Sequence, residues 1–425
     1  MKWEQKQHSN WKLSFFTIWT GQAFSLIGSE VVQFALVWWL TKSTGSATVL
    51  ATATMAALIP EIVLAPLAGA YVDRWNRRMV MIVADGVVAL ASLWLAYLFW
   101  TEATQVWHVY VIMLVRAAGG RFHWAAMLAS TSLMVPEKHL TRMAGLNQTL
   151  NGALSIVGPP LGALLMEVLL LHGVMLVDVG TATLAILPLL FAHVPQPRRD
   201  DTGAKGAAKP SIWTDMQEGL RYILVWPGLM ALIGAAMIVR LALTPAFSLV
   251  PLLVSEHFNG GAAQFSQVEA VAGVGVVVGG LVLSVWGGFR RKIYTWMLGI
   301  VGLGLGLVVL GLTPGGLFWI ALVCAFVVGS MIPIVDGPLM AIIQGTVAPE
   351  MQGRVFTLMG SLVRITAPFS LAIAGPVSDR FGLQVWYLTA GTLCGVAGLA
   401  GFFIPAIVNI EENANGASAE AEPLS

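Results

Sequence analysis

Apolar and polar positions follow one another in long blocks along this chain. Twelve continuous apolar stretches occur between Phe15 and Ile410, and charged residues fall mostly in the gaps between them. About 20 apolar residues cross a hydrocarbon core about 30 Å thick, so each stretch is long enough to span a bilayer. The runs are continuous rather than alternating, and backbone groups in lipid must be satisfied within each segment, so the spans are predicted to be helices. The predicted spans are 15–40, 48–72, 79–100, 106–135, 143–171, 173–193, 229–254, 268–289, 293–312, 317–348, 355–377 and 385–410.

Composition supports this prediction and excludes a soluble domain. Hydrophobic residues make up 57% of the 425 residues and charged residues only 11%, whereas about a quarter of a soluble domain is charged. The fold class predicted is an all-α membrane protein.

The distribution of positive charge predicts the orientation in the membrane. With the N-terminus placed inside, 17 of the 23 Lys and Arg residues fall on the cytoplasmic side, and only Lys42 and Arg380 face outside. This bias follows the positive-inside rule, which a miscounted span would have destroyed. We therefore expect both termini to be cytoplasmic.

A polar interruption divides the twelve spans into two sets of six. Residues after His193 contain prolines, arginines, aspartates and a Gly/Ala/Lys run, which is typical of a solvated linker. The predicted organisation is an N-terminal six-helix half (1–193), a cytoplasmic linker (194–227), a C-terminal six-helix half (228–410) and a disordered tail (411–425). Within the linker, 213–225 has apolar residues at helical spacing, which predicts an amphipathic helix on the inner membrane surface.

The two halves resemble each other at a constant offset. Pro136-Glu137 matches Pro349-Glu350, Arg142 matches Arg354, and the glycine that ends span two matches Gly280, all at offsets between 211 and 213 residues. Three matches near one offset indicate a duplicated six-helix unit, as in parallel-repeat transporters.

The loop after span two resembles the signature of the major facilitator superfamily, Gly-x-x-x-Asp-Arg-x-x-Arg-Arg. In that family the loop acts as a conformational latch that holds one access state. The glycine lets two helices approach, the aspartate can accept bonds from a helix N-terminus, and the arginines can reach carboxylates; the alternative is a plain positive-inside loop. The residues assigned to this predicted latch are Gly69, Asp73, Arg74, Arg77, Arg78, Asp85 and Arg354.

Two further motifs resemble the same family. Arg116 and the following Ala-Ala-Gly-Gly are similar to the helix-four motif, whose arginine lies near the proton path. Span five contains Gly158-Pro159-Pro160-Leu-Gly162, similar to the hinge motif of antiporters. That motif usually has a glycine at the positions of Leu154 and Ala163, so the match is partial.

Scattered residues extend the resemblance to the macrolide-efflux branch of the bacterial drug:proton antiporters. They are Asn10-Trp-Lys, Ile18-Trp-Thr-Gly-Gln-Ala, Gly45-Ser-Ala, Glu256-His-Phe-Asn-Gly and Gly353-Arg-Val-Phe. The resemblance implies a monomer of the bacterial inner membrane, with the lipid bilayer, protons and a small amphiphilic substrate as its partners. It would export macrolide-type drugs in exchange for protons; export of an endogenous amphiphile such as a siderophore or lysolipid is the alternative.

Charges inside the membrane provide candidates for proton coupling. A charge at a helix centre is costly and requires a partner or a water-filled cavity. Glu30, Glu61 and Asp336 are the predicted coupling acids, and Arg116 is expected to tune them, because a neighbouring arginine changes the affinity of a carboxylate for protons. The alternative for each acid is a static ion pair. Asp178 and Glu269 lie toward the outer span ends, where solvation or salt bridges are expected to suffice.

Polar side chains within the spans are predicted to line a substrate cavity. Asn147 and Asn151 lie one helical turn apart on span five, on one face. Interhelical hydrogen bonds, or ordinary packing for His123 and Trp124, are the alternatives. The residues assigned to the cavity are Gln22, Gln33, Arg121, His123, Trp124, Asn147, Asn151, Arg240 and Arg364.

The sequence contains no Walker loop, zinc-ligand cluster or nucleophile elbow. We therefore predict that the protein is not an enzyme, requires no cofactor or metal, and binds no nucleic acid.

Overall fold

The computed structural model describes residues 11–72, 74–191, 194, 196 and 212–412, and its regular structure there is helical. The first six helices are α1 (Trp11–Thr44), α2 (Ala47–Val72), α3 (Arg77–Trp100), α4 (Val106–Met134), α5 (Glu137–Val168) and α6 (Leu171–Phe191). The other long helices are α7 (Ile212–Val225), α8 (Pro227–Ser248), α9 (Ala262–Trp286), α10 (Lys292–Leu312), α11 (Phe318–Thr346), α12 (Pro349–Phe381) and α13 (Leu383–Gly401).

Each predicted span contains one long helix, although spans seven and twelve continue beyond α8 and α13 into short helical segments at Val250–Leu252, Leu253–His257 and Pro405–Val408. Among the described residues, eleven of these helices are long and apolar enough to cross a membrane. The twelfth, α4, has 29 residues but is less apolar, because it contains Arg116, Arg121 and two histidines. The protein is therefore a multi-pass helical membrane protein.

Several helices extend beyond the apolar stretches that predicted them. Span one was predicted at 15–40, and α1 runs from Trp11 to Thr44; span eleven was predicted at 355–377, and α12 runs from Pro349 to Phe381. Backbone hydrogen bonding continues past the hydrocarbon core, so the apolar pattern marks the membrane-crossing part of a helix rather than its ends.

The described residues fall into two compact units. Unit 1 comprises those within Met1–Gly45, Thr52–Asp201 and Gly260–Ala270. Unit 2 comprises those within Ser46–Ala51, Thr202–Asn259 and Val271–Ser425.

The same four helix pairings occur in each unit. In unit 1, α1 packs on α5 and α6, and α3 packs on α4 and α6. In unit 2, α8 packs on α12 and α13, and α10 packs on α11 and α13. These pairings are equivalent when the six spans of each half are numbered in order. The repeat that the sequence offsets indicated is therefore present in the packing.

Helix α7 occupies the place of the predicted amphipathic helix. Glu218 of α7 forms a salt bridge with Arg354 of α12, with 2.9 Å between Oε2 and Nη1. Gly219 faces Leu358 and Arg354, where an added Cβ would lie 2.6 Å from Leu358 Cδ1. Helix α7 thus packs against the start of α12. The rest of the predicted linker lies almost entirely outside the described residues.

The first residues of the predicted disordered tail are ordered by contacts with α10. Glu411 accepts a hydrogen bond from the backbone N–H of Ile293 at 3.2 Å, and Glu412 pairs with Arg291. Both acids lie beside the N-terminus of α10, where negative charge is favourable. The remainder of the tail lies outside the described residues.

Candidate functional site

Unit 1 encloses a polar cavity of about 510 Å³. Side chains from α1, α2, α3, α4 and α6 line it, and nine of them were predicted from the sequence as site residues. These nine are Gln22, Glu30, Gln33, Glu61, Asp85, Arg116, Arg121, His123 and Trp124. Residues separated by up to about 100 positions in sequence therefore face one space inside the membrane.

An enclosed ion pair forms one wall of this cavity. Arg116 of α4 pairs with Asp178 of α6, and their side chains are only 9% and 1% exposed. Ser92 of α3 bridges the pair, because its hydroxyl donates to Asp178 at 2.6 Å and accepts from Arg116 at 2.9 Å. Ser29 of α1 adds two contacts: its carbonyl accepts from Arg116 at 3.2 Å, and its hydroxyl donates to Asp178 at 3.4 Å. Four helices are thus held by one hydrogen-bonded network.

Asp178 was not among the predicted site residues, because solvation or salt bridges were expected to suffice for it near the outer end of its span. It lies two turns inside α6 and is almost fully buried. An acid inside an apolar span is a functional candidate by default, and that rule would have found it. Of the two expected alternatives, solvation and a salt bridge, the structure shows the salt bridge: Arg116 pairs with the Asp178 carboxylate, and two serines donate hydrogen bonds to it.

Asp85 lies in the cavity with two polar neighbours. Gln22 of α1 donates from its amide nitrogen to Asp85 Oδ2 at 3.2 Å. His123 of α4 places Nε2 3.7 Å from the same oxygen. Asp85 was assigned to the predicted latch because it lies near the inner end of span three; the structure instead brings it together with two residues predicted to line the cavity.

Glu30 and Glu61 face the open part of the cavity. Both are exposed to it, and no salt bridge to either is found among the described residues. Glu30 also packs against the predicted hinge of α5, where a Cβ on Gly158 would lie 3.0 Å from Glu30 Cβ. A Cβ on Gly162 would lie 2.8 Å from the Phe34 ring. These glycines let α5 approach α1 directly beside Glu30.

A different acid–base pair occurs in unit 2. Arg240 of α8 donates from Nη2 to both carboxylate oxygens of Asp336 of α11, at 3.0 Å each. The two side chains are 45% and 44% exposed. Asp336 was predicted to couple protons and Arg240 to line the cavity, and the two residues are direct partners. Arg364, on α12, is also exposed.

The two asparagines predicted to line the cavity from α5, Asn147 and Asn151, differ in their surroundings. Asn147 accepts a hydrogen bond from the indole N–H of Trp19 at 2.8 Å, which is the interhelical bonding alternative. Asn151, one turn further along, is exposed.

The predicted latch loop is described only in part, because Asp73 lies outside the described residues. Arg77 is buried and donates to the carbonyl of Ala129 in α4 at 2.6 Å. Arg78 donates to the carbonyl of Leu190 in α6. A Cβ on Gly69 would meet no atom within 4 Å in the described part of the chain, so the close approach expected at this glycine is not seen. The two arginines fasten the start of α3 to its neighbours.

A second, apolar cavity of about 830 Å³ lies between α3 and α4. Met79, Val83 and Leu114 line it, and all three are exposed apolar side chains. Gly119 of α4 lines this cavity and the polar cavity. Gly119 therefore lies at the boundary between the apolar cavity and the polar cavity of unit 1.

Comparison with known proteins gives consistent results. Residues 18–370 match the family model described as Major Facilitator Superfamily. The chain is 34% identical to Macrolide efflux protein A of Streptococcus pyogenes over 389 residues, which cover 91% of this chain and 95% of that protein. It is 26% identical to Multidrug efflux pump Tap of Mycolicibacterium fortuitum, over 90% of this chain and 94% of that pump.

A solved structure supports the same fold. The structure of a bacterial homologue of the iron transporter ferroportin, in an inward-facing state, is similar with a TM-score of 0.70 and 15% identity. The match covers 91% of this chain and 98% of that one. At such identity the likeness concerns the fold alone. Together with the repeated six-helix packing, these matches show that the chain belongs to the major facilitator superfamily of transporters, in the branch of the macrolide efflux proteins.

Proposed function

We propose that this protein exports amphiphilic compounds of the macrolide type in exchange for protons, by alternating access. The observation that carries the proposal is the polar cavity of unit 1, in a chain 34% identical to a macrolide efflux protein. Glu30 and Glu61, for which no salt bridge is found among the described residues, face this cavity, and an arginine held by a buried partner forms its wall. A solvated acid inside a membrane can gain and lose a proton, which a fully bonded ion pair does not readily do.

Glu30 is the acid that best fits the coupling role. It is exposed to the cavity, lies on α1 directly against Gly158 of the predicted hinge in α5, and has no salt-bridge partner among the described residues. A proton entering from outside would neutralise Glu30, and its release inside would accompany reorientation. Exchange needs only that drug and proton compete, or that they favour opposite states. Glu61 and Asp336 are secondary candidates for the same role.

Amphiphilic cargo is favoured by the two kinds of surface in unit 1. The apolar cavity between α3 and α4 would accept a hydrophobic body, and the polar cavity beyond Gly119 offers amides, acids and arginines. An amphiphilic compound needs an apolar surface for its hydrophobic part and polar groups for its hydrophilic part. The excess of Lys and Arg in the predicted inner segments supports cytoplasmic termini, and the similarity to macrolide efflux proteins supports a bacterial inner-membrane protein, which we propose to be a monomer.

Accumulation of labelled erythromycin in macrolide-sensitive bacteria tests this function. Cells that produce the protein should accumulate less drug than empty cells, and a protonophore should abolish the difference. Glu30→Gln should raise accumulation to the level of empty cells. The matched control is Glu167→Gln, because Glu167 is exposed at the far end of α5 and does not line the cavity.

Equal accumulation with and without wild-type protein, at confirmed membrane levels, would contradict macrolide export. That result would favour an endogenous amphiphile as the cargo. A protonophore-resistant difference would instead contradict the exchange for protons.

A further inference from the structure

The contact between Asp85 and His123 has an unusual feature on its histidine side. His123 Nε2 lies 3.7 Å from Asp85 Oδ2, which is beyond hydrogen-bond distance. This nitrogen is buried, and it has no hydrogen-bond partner among the residues that the structure describes. A buried polar atom without a hydrogen-bond partner is destabilising, so such an atom requires an explanation.

The surroundings of the pair are polar and face the cavity. Asp85, His123 and Gln22 all line the polar cavity, and the side chains of the first two are 11% and 14% exposed. Gln22 already donates to the oxygen that His123 faces. The amide therefore orients the carboxylate toward the ring.

Charges around the pair favour the arrival of positive charge. The acids that face the cavity are Glu30 of α1, Glu61 of α2, Asp85 of α3 and Asp178 of α6, whereas the cationic groups are Arg116 and Arg121 of α4. Arg116 is bound to Asp178. The lining of the cavity thus includes four carboxylates and two guanidinium groups, and both His123 and Asp178 interact electrostatically with Asp85.

One proton would complete this network. On a neutral ring whose Nε2 has no hydrogen, that nitrogen and the Asp85 carboxylate are both acceptors, so no hydrogen bond can join them. Addition of a proton to Nε2 gives a cationic ring with an N–H directed at Oδ2, and a shift of less than about 1 Å makes a charge-assisted bond. No covalent bond between heavy atoms changes, because the proton comes from cavity water and returns to it.

We propose that Asp85 and His123, oriented by Gln22, form a proton-binding site of the transport cycle in addition to Glu30. The site deepens the proposed exchange of drug for protons and rests on it. Both residues line the space that the drug would occupy, so drug binding and proton binding at this site would oppose each other. Histidine suits the role because its charge changes near physiological pH.

Proton counting on the purified protein tests the site. Erythromycin is added to the protein in weakly buffered detergent solution with a pH dye, and drug binding is measured in parallel by tryptophan fluorescence. The wild type should release protons when it binds the drug. At erythromycin concentrations adjusted to give equal occupancy, His123→Gln should release at least about half a proton less per drug bound. The matched control is His172→Gln, because His172 lies at the start of α6 and does not line the cavity.

A second variant, Asp85→Asn, distinguishes loss of the proton-binding site from misfolding of His123→Gln. Asp85→Asn keeps the side-chain size and the contact with Gln22 but removes the charge that holds the proton, so it should lose the same fraction of proton release. Wild-type release retained in both variants would overturn the two-residue site while leaving the proposed exchange intact. A wild type that binds erythromycin without releasing any proton would contradict the exchange and this site together.

Discussion

In the part of the chain that the structure describes, each unit contains one arginine–aspartate pair that joins two helices, and the two pairs differ in their surroundings. The pair between Arg116 and Asp178 in unit 1 is 9% and 1% exposed, and two serines contact it. The pair between Arg240 and Asp336 in unit 2 is 45% and 44% exposed. No other hydrogen bond to these two side chains is found among the described residues. The chemistry is the same, so burial and the number of partners decide what each pair contributes.

Removal of one partner has very different consequences in these two settings. Breaking a buried pair leaves an uncompensated charge and costs about 3–5 kcal/mol, whereas an exposed pair contributes about 0–1 kcal/mol. We therefore assign the pair in unit 1 to the stability of the four-helix contact. The exposed pair in unit 2 is expected to contribute little to stability.

The largest effect is expected for Asp178→Ala. The change strands the Arg116 guanidinium in a wall that is almost inaccessible to water, so the free energy of unfolding should fall by about 3–5 kcal/mol. Heat- or SDS-induced unfolding in detergent, followed by tryptophan fluorescence, measures this. A variant as stable as the wild type would contradict the view that the buried pair holds α4 and α6.

A double variant tests whether the loss of stability in Asp178→Ala comes from the buried arginine left without a partner. Arg116→Met with Asp178→Leu removes both charges and fills the space with apolar atoms, which is often neutral for stability. It should be more stable than Asp178→Ala by at least about 2 kcal/mol in the same unfolding assay. Erythromycin efflux should nevertheless be lost, since the cavity would lack its arginine. Efflux at the wild-type rate would show that Arg116 has no part in transport.

An intermediate effect is expected for Asp379→Asn in unit 2. Asp379 lies at the end of α12 and accepts from the backbone N–H groups of Ala47 and Thr48, at 2.6 and 3.0 Å, at the N-terminus of α2. A carboxylate in this position stabilises a helix start by about 1 kcal/mol. The variant should lose about that much stability. A loss of stability as large as that of Asp178→Ala would show that the exposure of a charged contact does not determine how much it stabilises the protein.

The smallest effect on stability is expected for Asp336→Asn. The exposed pair contributes at most about 1 kcal/mol, so the unfolding temperature in detergent should stay close to that of the wild type. Efflux should fall if opening of the pair belongs to the cycle. Loss of stability as large as for Asp178→Ala would remove the contrast between the two pairs.

Much of the fold was predictable from the chain, because length and apolarity determine the spans one by one. The exception shows the limit: α4 forms at its predicted place, but Arg116, Arg121 and two histidines make it less apolar than the others. Partners of charged side chains were not predictable. Asp178 and Asp85 received other roles because the sequence gives no distance between α3, α4 and α6, whereas the cavity brings all three helices together. Asp73 and the linker remain predictions.

The most direct test of the central claim is proton movement in liposomes that contain the purified protein and an internal pH dye. Erythromycin is added under an imposed pH gradient, and the dye signal is followed for wild type, Glu30→Gln and the control Glu167→Gln. We expect a drug-dependent proton flux in the wild type and in Glu167→Gln, and no drug-dependent flux in Glu30→Gln. A drug-dependent flux that persists undiminished in Glu30→Gln would contradict the assignment of Glu30 as the coupling acid. No drug-dependent flux in folded wild-type protein would contradict exchange of macrolides for protons.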